Sequence, residues 1–304
     1  MPARDLTVAD DRGPQRLDRF ARSVLVGASR QLVTRLIDEG AIRVNGRPAR
    51  KGDLVRPGDR VAIPALPDLA PNARLACRVV YADAQVVALD KPSGVPSVPL
   101  DPRERDTAAN FLLAQDPALR GVGDPLACGL AHRLDTGTSG LLVAARDVET
   151  YGALRAAFRE GRVRKRYLAV VQGRVAARLL LATPLSHVPG DRGRMRPALP
   201  GDRAWPARTV VTPLRSLDGA TLVCAVIRTG VTHQVRVHLA HAGHPVLGDA
   251  RYGGPHAHLP AGHHALHAAE LHLPPCARQA AQRLGTALPA ELTRLLETLD
   301  ARPR

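Results

Sequence analysis

The chain has 304 residues, with 43 Lys and Arg against 28 Asp and Glu for a net charge of +15. That length allows a full core and two domains, and the charge favours a polyanionic partner, nucleic acid before an anionic membrane. An apolar run of about 18 residues, the length needed to span a bilayer, is missing, and the opening MPARDLTVADDRG lacks the apolar core of a secretory signal.

A soluble, cytoplasmic protein is therefore expected. The four cysteines, Cys77, Cys128, Cys224 and Cys276, form no C-x-x-C pair and read as reduced, partly buried thiols.

Residues 16–63 read as a small unit. Ser29 is placed to cap a helix whose Leu32, Val33, Leu36 and Ile37 share one face. Gly40 follows as its stop, and short strands are predicted in AIRVNG, DLVRPGD and RVAI, with turns at Asn45-Gly46 and Pro57-Gly58. Residues 12–60 hold 12 basic and five acidic side chains, so a helix face with Arg30 and Arg35 suits a phosphate backbone. The run from Arg16-Leu17-Asp18 through IDEGAIRVNG to VRPGDRV resembles the S4-type RNA-binding module. That resemblance implies binding of structured RNA without chemistry.

PALPDLAPNAR, residues 64–74, is rich in proline and alanine and reads as a linker. Beyond it, RVVYADAQVVALDKP predicts two strands about a turn, and GLLVAA another strand. DVETYGALRAAFREG predicts a helix capped by Asp147 and stopped by Gly161. KRYLAVVQG, ARTVVTPLRSL and ATLVCAVIRTG predict further strands, and THQVRVHLAHAG a helix from Thr232 to Gly243. HVPGDRGRMRPALPGDR is expected to be a mobile loop, because its glycines and prolines argue against regular structure. The fold class is α+β, with strands and helices mixed too irregularly for a doubly wound sheet.

The stretch GLAHRLDTGTSGLLVAARD sets Asp135 beside Arg133 just before an apolar strand. An aspartate in a turn commonly satisfies backbone amides, but three further segments bear on it. LDKPSGVP holds Lys91 in a loop, RVRKRYLAVVQG puts Tyr167 after four basic residues, and TGVTHQVRVHLAHAGHPVLGDARYG carries Arg236 at a helix start. These four segments resemble, in order and spacing, the motifs of the RluA family of pseudouridine synthases, over about residues 76–255. The resemblance implies a catalytic domain, 76–304, with a mixed, mainly antiparallel sheet, after a module at 1–63 and a linker at 64–75. It implies isomerisation of uridine to pseudouridine in RNA, with large-subunit ribosomal RNA favoured. Transfer RNA as substrate, or a non-catalytic assembly factor of the same fold, are the alternatives.

By the same resemblance, Asp135 is the catalytic aspartate and Arg133 the arginine that fills the gap left by the flipped base. Tyr167 packs on the target base, and Arg236 pairs with Asp135. Arg30, Arg35, Lys91 and His132 are further candidate RNA contacts. The reaction needs neither cofactor nor metal, and a monomer is expected. Twelve histidines, among them His238, His241 and His244, lack ligand spacing with any carboxylate or cysteine and read as packing or exposed groups. One departure stands out. Val231 occupies a position where many members of the family have an arginine, which bears on RNA affinity or target choice but leaves Asp135 and Arg236 intact.

Overall fold

A computed structural model describes residues 3–9, 13–25, 28–254, 256–275 and 280–300; Cys276 lies outside them. The chain divides into two compact units, Met1–Ala73 with Val98–Cys128, and Arg74–Ser97 with Gly129–Arg304.

The first unit contains β1 (Ala3–Thr7), β2 (Gln15–Arg16), α1 (Leu17–Val24), α2 (Arg30–Asp38), β3 (Arg43–Val44), β4 (Arg47–Pro48), β5 (Leu54–Val55), β6 (Arg60–Pro64) and α3 (Ala108–Gln115). Its main sheet runs β1-β6-β3-β4, and β2 pairs with β5. As expected, the Ser29 hydroxyl accepts from Leu32 N at 3.0 Å, satisfying an amide at the start of α2. The apolar face of α2 buries Leu32, Val33, Leu36 and Ile37 against Leu17, Phe20 and Val61. Asn45 and Gly46 take positive φ values of 50° and 78°, the turn that lets β3 pair closely with β4. Of the stretch 64–74 expected as a linker, Pro64 ends β6, and residues 65–73 form no helix or strand but are tied to α3. Asn72 N donates to Asn110 O at 2.9 Å, and Asn110 Nδ2 donates to Ala70 O at 2.7 Å.

The second unit comprises β7 (Arg78–Ala82), β8 (Val86–Lys91), β9 (Ser139–Ala145), α4 (Val148–Arg159), β10 (Arg164–Gln172), β11 (Leu179–Leu181), β12 (Leu185–Val188), β13 (Asp191–Pro197), β14 (Thr209–Leu217), β15 (Ala220–Ile227), α5 (Gln234–His241), β16 (Leu266–Leu273), β17 (Gln282–Gly285) and α6 (Ala290–Asp300). Its sheet runs β11-β14-β15-β10-β16-β9-β8-β7, with β17 also on β16. Every pairing is antiparallel except β9 with β16. This is the mixed, mainly antiparallel α+β sheet expected. All seven residues of β9 are buried, so its apolar run is continuous rather than alternating. Asp147 caps α4 by accepting from Thr150 N at 2.8 Å.

Two local expectations are corrected. The stretch read as a mobile loop, 187–203, supplies the end of β12 and all of β13, a hairpin in which Gly190 at φ 81° makes the turn and the Leu185 and Met195 side chains are buried. Asp202 anchors it, accepting from Ser186 Oγ at 2.8 Å and Leu199 N at 2.7 Å. Glycine and proline here shape a turn and its flanks; they do not dissolve them. The helix expected from Thr232 begins instead at Gln234, because His233 takes a left-handed φ of 55° that a helix cannot continue through.

Candidate active site

Asp135 sits in a tight turn, with Thr138 N donating to Asp135 O at 3.0 Å, immediately before β9. The glycines around it are there for space. A Cβ on Gly137 would lie 2.4 Å from Gly262 O, and one on Gly140, at φ 113°, would lie 2.3 Å from Ala268 O on β16. The loop after β8 braces the same turn: Ser97 Oγ bonds both the O and N of Leu134 at 2.8 and 2.9 Å, and Ser93 Oγ donates to Gly137 O at 2.8 Å. Lys91 Nζ donates to Pro92 O at 2.9 Å, Val95 O at 2.7 Å and Thr136 O at 3.2 Å.

Helix α5 brings the cation. Arg236 Nη1 lies 2.7 Å from Asp135 Oδ2, while its Nε and Nη2 reach Asp249 at 2.7 and 2.8 Å. One guanidinium thus joins two carboxylates, the fixed fork geometry that suits arginine. Burial works against the charge on Asp135, but His233 and Arg236 outweigh it and hold the carboxyl below the usual carboxylate range. Burial also lowers the His233 pKa, so at neutral pH Arg236 is the partner that stays charged. Arg236 resists burial through its bond to Asp249 and the charge of Asp135, and its pKa is raised. His233 Nε2 stands 3.8 Å from Asp135 Oδ2, and its Nδ1 is 2.8 Å from Tyr252 Oη. The Tyr252 ring lies under Arg236 at 5.2 Å from its centroid.

Asp135, Arg133, Tyr167 and Arg236 all line one cleft of about 830 Å³. Tyr167, on β10, is buried; that burial, with the Asp135 charge, raises its phenol pKa, so the ring stays neutral. Arg133 is exposed at the rim. Arg155, Arg159 and Lys165 add positive charge to the walls, with Glu160 the acidic residue besides Asp135. In the other unit, Arg30 and Arg35 are exposed on α2, and Arg35 pairs with Asp101 at 3.3 Å.

One of the sequence-predicted RNA contacts is corrected. Lys91 is fully buried and its ammonium is spent on three carbonyls, so it holds the Asp135 turn and cannot reach a phosphate. His132 accepts from Val143 N at 3.1 Å and stacks on Phe158 at 4.5 Å, and burial pushes its pKa down to about 3. It is uncharged and half-buried, and it lines the cleft beside Arg133. Sequence reasoning also passed over Asp249 and Tyr252. Both stand in the quoted segment GHPVLGDARYG, but nothing in spacing alone tells that they close on Arg236. Among the described residues no three His, Cys, Asp or Glu are grouped to hold a metal ion. His238 is bound by Thr209 Oγ1 at 2.8 Å and Thr183 O at 2.9 Å.

An ionised carboxylate before the parallel seam of this sheet, inside a basic cleft, suits chemistry on a polyanion, and the comparisons with known proteins give the class, an RNA-modifying isomerase. The model of RNA pseudouridylate synthases matches residues 85–241, and that of the S4 domain residues 15–61. The chain belongs to the RNA pseudouridylate synthase family. An uncharacterized RNA pseudouridine synthase of Chloroflexus aurantiacus is 36% identical across 95% of this chain and 91% of its own. Ribosomal large subunit pseudouridine synthase D of Xylella fastidiosa is 33% identical across 83% of this chain and 75% of its own. The structure of human RNA pseudouridylate synthase domain containing 4 superposes with a TM-score of 0.58 at 26% identity, covering 73% of this chain and 92% of that one.

Proposed function

We propose that the protein converts a uridine of large-subunit ribosomal RNA to pseudouridine, with Asp135 as the residue that acts on the sugar. The observation that carries the assignment is the Asp135–Arg236 pair at 2.7 Å within a cleft lined by Tyr167 and Arg133. The target uridine is stacked in RNA and must be extruded at a cost of a few kcal/mol. Arg133, exposed beside Asp135, can take the vacated space with its planar guanidinium. Tyr167 offers the extruded base a ring to stack on.

Asp135 then attacks the anomeric carbon, or stabilises positive charge developing there, as carboxylates do in glycoside cleavage. The bond from that carbon to N1 breaks, the base turns, and C5 bonds to the same carbon, releasing the Asp135 carboxylate wherever it had attached. The proton on C5 leaves while N1 gains one, so the product is an isomer and the electrons balance without an oxidant or reductant. Arg236, anchored by Asp249, keeps Asp135 ionised for the attack.

The choice of ribosomal RNA rests on the relatives named for the ribosomal large subunit and on the S4 domain match. In this reading residues 1–63 are the RNA-binding module, 64–75 connect, and 76–304 carry catalysis. The protein acts as a monomer in the cytoplasm, and no helix among the described residues is long and apolar enough to cross a membrane. The experiment is tritium release from RNA labelled at uracil C5, comparing unmodified ribosomal and transfer RNA transcripts. Release from the ribosomal transcript by wild type, and none by Asp135→Ala with RNA binding retained, is expected. Release from transfer RNA alone would overturn the choice of substrate, and equal loss of binding and turnover in Asp135→Ala would remove its catalytic role.

A further inference from the structure

Trp205 is the one tryptophan of the chain, and aromatic residues are scarce: three Phe and four Tyr complete the set. Trp205 nevertheless lines the same cleft as Asp135 and Tyr167. Its backbone is pinned to β12, with Trp205 N donating to Leu185 O at 2.8 Å and Leu185 N to Trp205 O at 3.0 Å. The indole packs on a small apolar cluster of Leu185, Met195, Ala207 and Val237, together with Val231 and Tyr252. It remains partly exposed. His187 meets it edge-on at 5.2 Å, and Arg203 sits over the ring at 5.9 Å. Arg203 is exposed and has no carboxylate within ion-pair reach among the described residues.

These features differ from those of an ordinary core tryptophan. The ring is anchored through its backbone to β12, open to the cleft, and accompanied by an exposed guanidinium. The cleft, at about 830 Å³, lies near the top of the ~300–1,000 Å³ range of small-molecule sites, so it has room beyond one extruded nucleotide. Tyr167 already offers a ring to that nucleotide. We propose that Trp205 is a second stacking platform, which takes the nucleobase adjacent to the target uridine, while Arg203 turns from the indole to the phosphate between them. The inference deepens the RNA-isomerase reading above and rests on it. Stacking on an aromatic ring tolerates any base, so Trp205 adds affinity and register here, whereas discrimination of the target stays with the Asp135 pocket. Val231 contributes to the same wall: a small apolar side chain at this point lets the cluster close beneath the indole.

A lone tryptophan makes the test direct. The emission of the full-length protein is followed while a nine-nucleotide oligouridylate is added at low salt, and binding of the same oligonucleotide, dye-labelled, is followed by anisotropy. Saturable quenching with the same midpoint as the anisotropy is expected. Trp205→Leu is expected to bind about 10-fold more weakly, as the loss of one base stack implies, and Trp205→Phe to retain most of the affinity. On RNA substrate the Leu variant should raise KM with kcat little changed. Oligonucleotide binding with unchanged emission, absence of binding, or a folded Trp205→Leu protein that binds like wild type would each overturn the platform. Quenching without tritium release from ribosomal RNA would count against the choice of substrate instead, and leave the platform standing.

Discussion

Asp249 holds Arg236 from behind, through Nε at 2.7 Å and Nη2 at 2.8 Å, and so leaves Nη1 free to meet Asp135. The arrangement makes Asp249 a positioning residue: it touches neither cleft nor substrate, but it fixes the cation that the reacting carboxylate needs. Asp249→Asn keeps the shape and removes the charge. Breaking a buried ion pair by deleting one partner costs about 3–5 kcal/mol, so the urea midpoint should fall clearly. Turnover should fall as well, with kcat losing more than KM changes, because Arg236 is no longer held toward Asp135. The acid limb of the kcat profile should also move, since a displaced Arg236 lets the Asp135 pKa rise. An unchanged acid limb with reduced stability would make Asp249 a purely structural residue.

Asp135 and Arg236 are 101 residues apart in sequence, and no periodicity connects them; their pairing was legible only through the resemblance of whole motifs. Local features were legible for physical reasons. Ser29 and Asp147 cap helices because short polar side chains satisfy the amides that a helix leaves open, and both helices carry an amphipathic face. Helix α5 is different: Gln234, Val235, Arg236, Val237, His238 and Leu239 are all buried, so its polar residues mark internal partners rather than a solvent face. The hairpin β12–β13 was hidden by its glycines and prolines. Lys91 was misread because charge suggests a surface, while the three carbonyls that take it inside belong to two separate loops.

Lys91→Met tests that correction. Methionine fills similar space but takes the lysine donor from the carbonyls of Pro92 and Val95, at roughly 1–3 kcal/mol for each one left unsatisfied, while Thr136 O keeps Gly94 N at 2.9 Å. Thermal stability should drop and kcat should fall, because the Asp135 turn loses a brace. The salt dependence of RNA affinity should stay as in wild type, since a buried lysine releases no counterion. A shallower salt slope in the variant would return Lys91 to the RNA interface.

Stability should decline as the solution is made mildly acidic. His132 and His264 have ordinary values of 6.5, and burial first of all pushes them down to about 3 and about 4. Below about pH 6.5 the unfolded chain takes up protons at both positions while the folded chain refuses them. Folding therefore loses about 1.4 kcal/mol per pH unit for each histidine, as far as about pH 4 for His264 and about pH 3 for His132. Urea midpoints measured at about pH 7, 6 and 5 should fall progressively. The His264→Gln variant should show a shallower decline, whatever its absolute stability. A midpoint that is flat over this range would mean that both histidines are protonated in the fold.

Glycines of the second unit should respond to substitution in opposite directions, depending on what surrounds them. Gly152 lies inside α4, exposed, with nothing within 4 Å of a Cβ placed there. Gly152→Ala should stabilise by about 0.5–1 kcal/mol, because alanine has less freedom to lose in a helix. Gly140 is at φ 113° on β9, and a Cβ there would meet the backbone of Ala268 at 2.3 Å from O and 2.7 Å from N. Neither atom is a flexible side-chain end that could move aside. Gly140→Ala must push β9 off β16 at their parallel pairing, just after the turn that carries Asp135. Destabilisation by several kcal/mol is expected, with turnover lost in whatever fraction still folds. Thermal melts of the two variants beside wild type would check both signs at once. If Gly140→Ala melted with wild type, β9 and β16 could not approach as closely as their register requires.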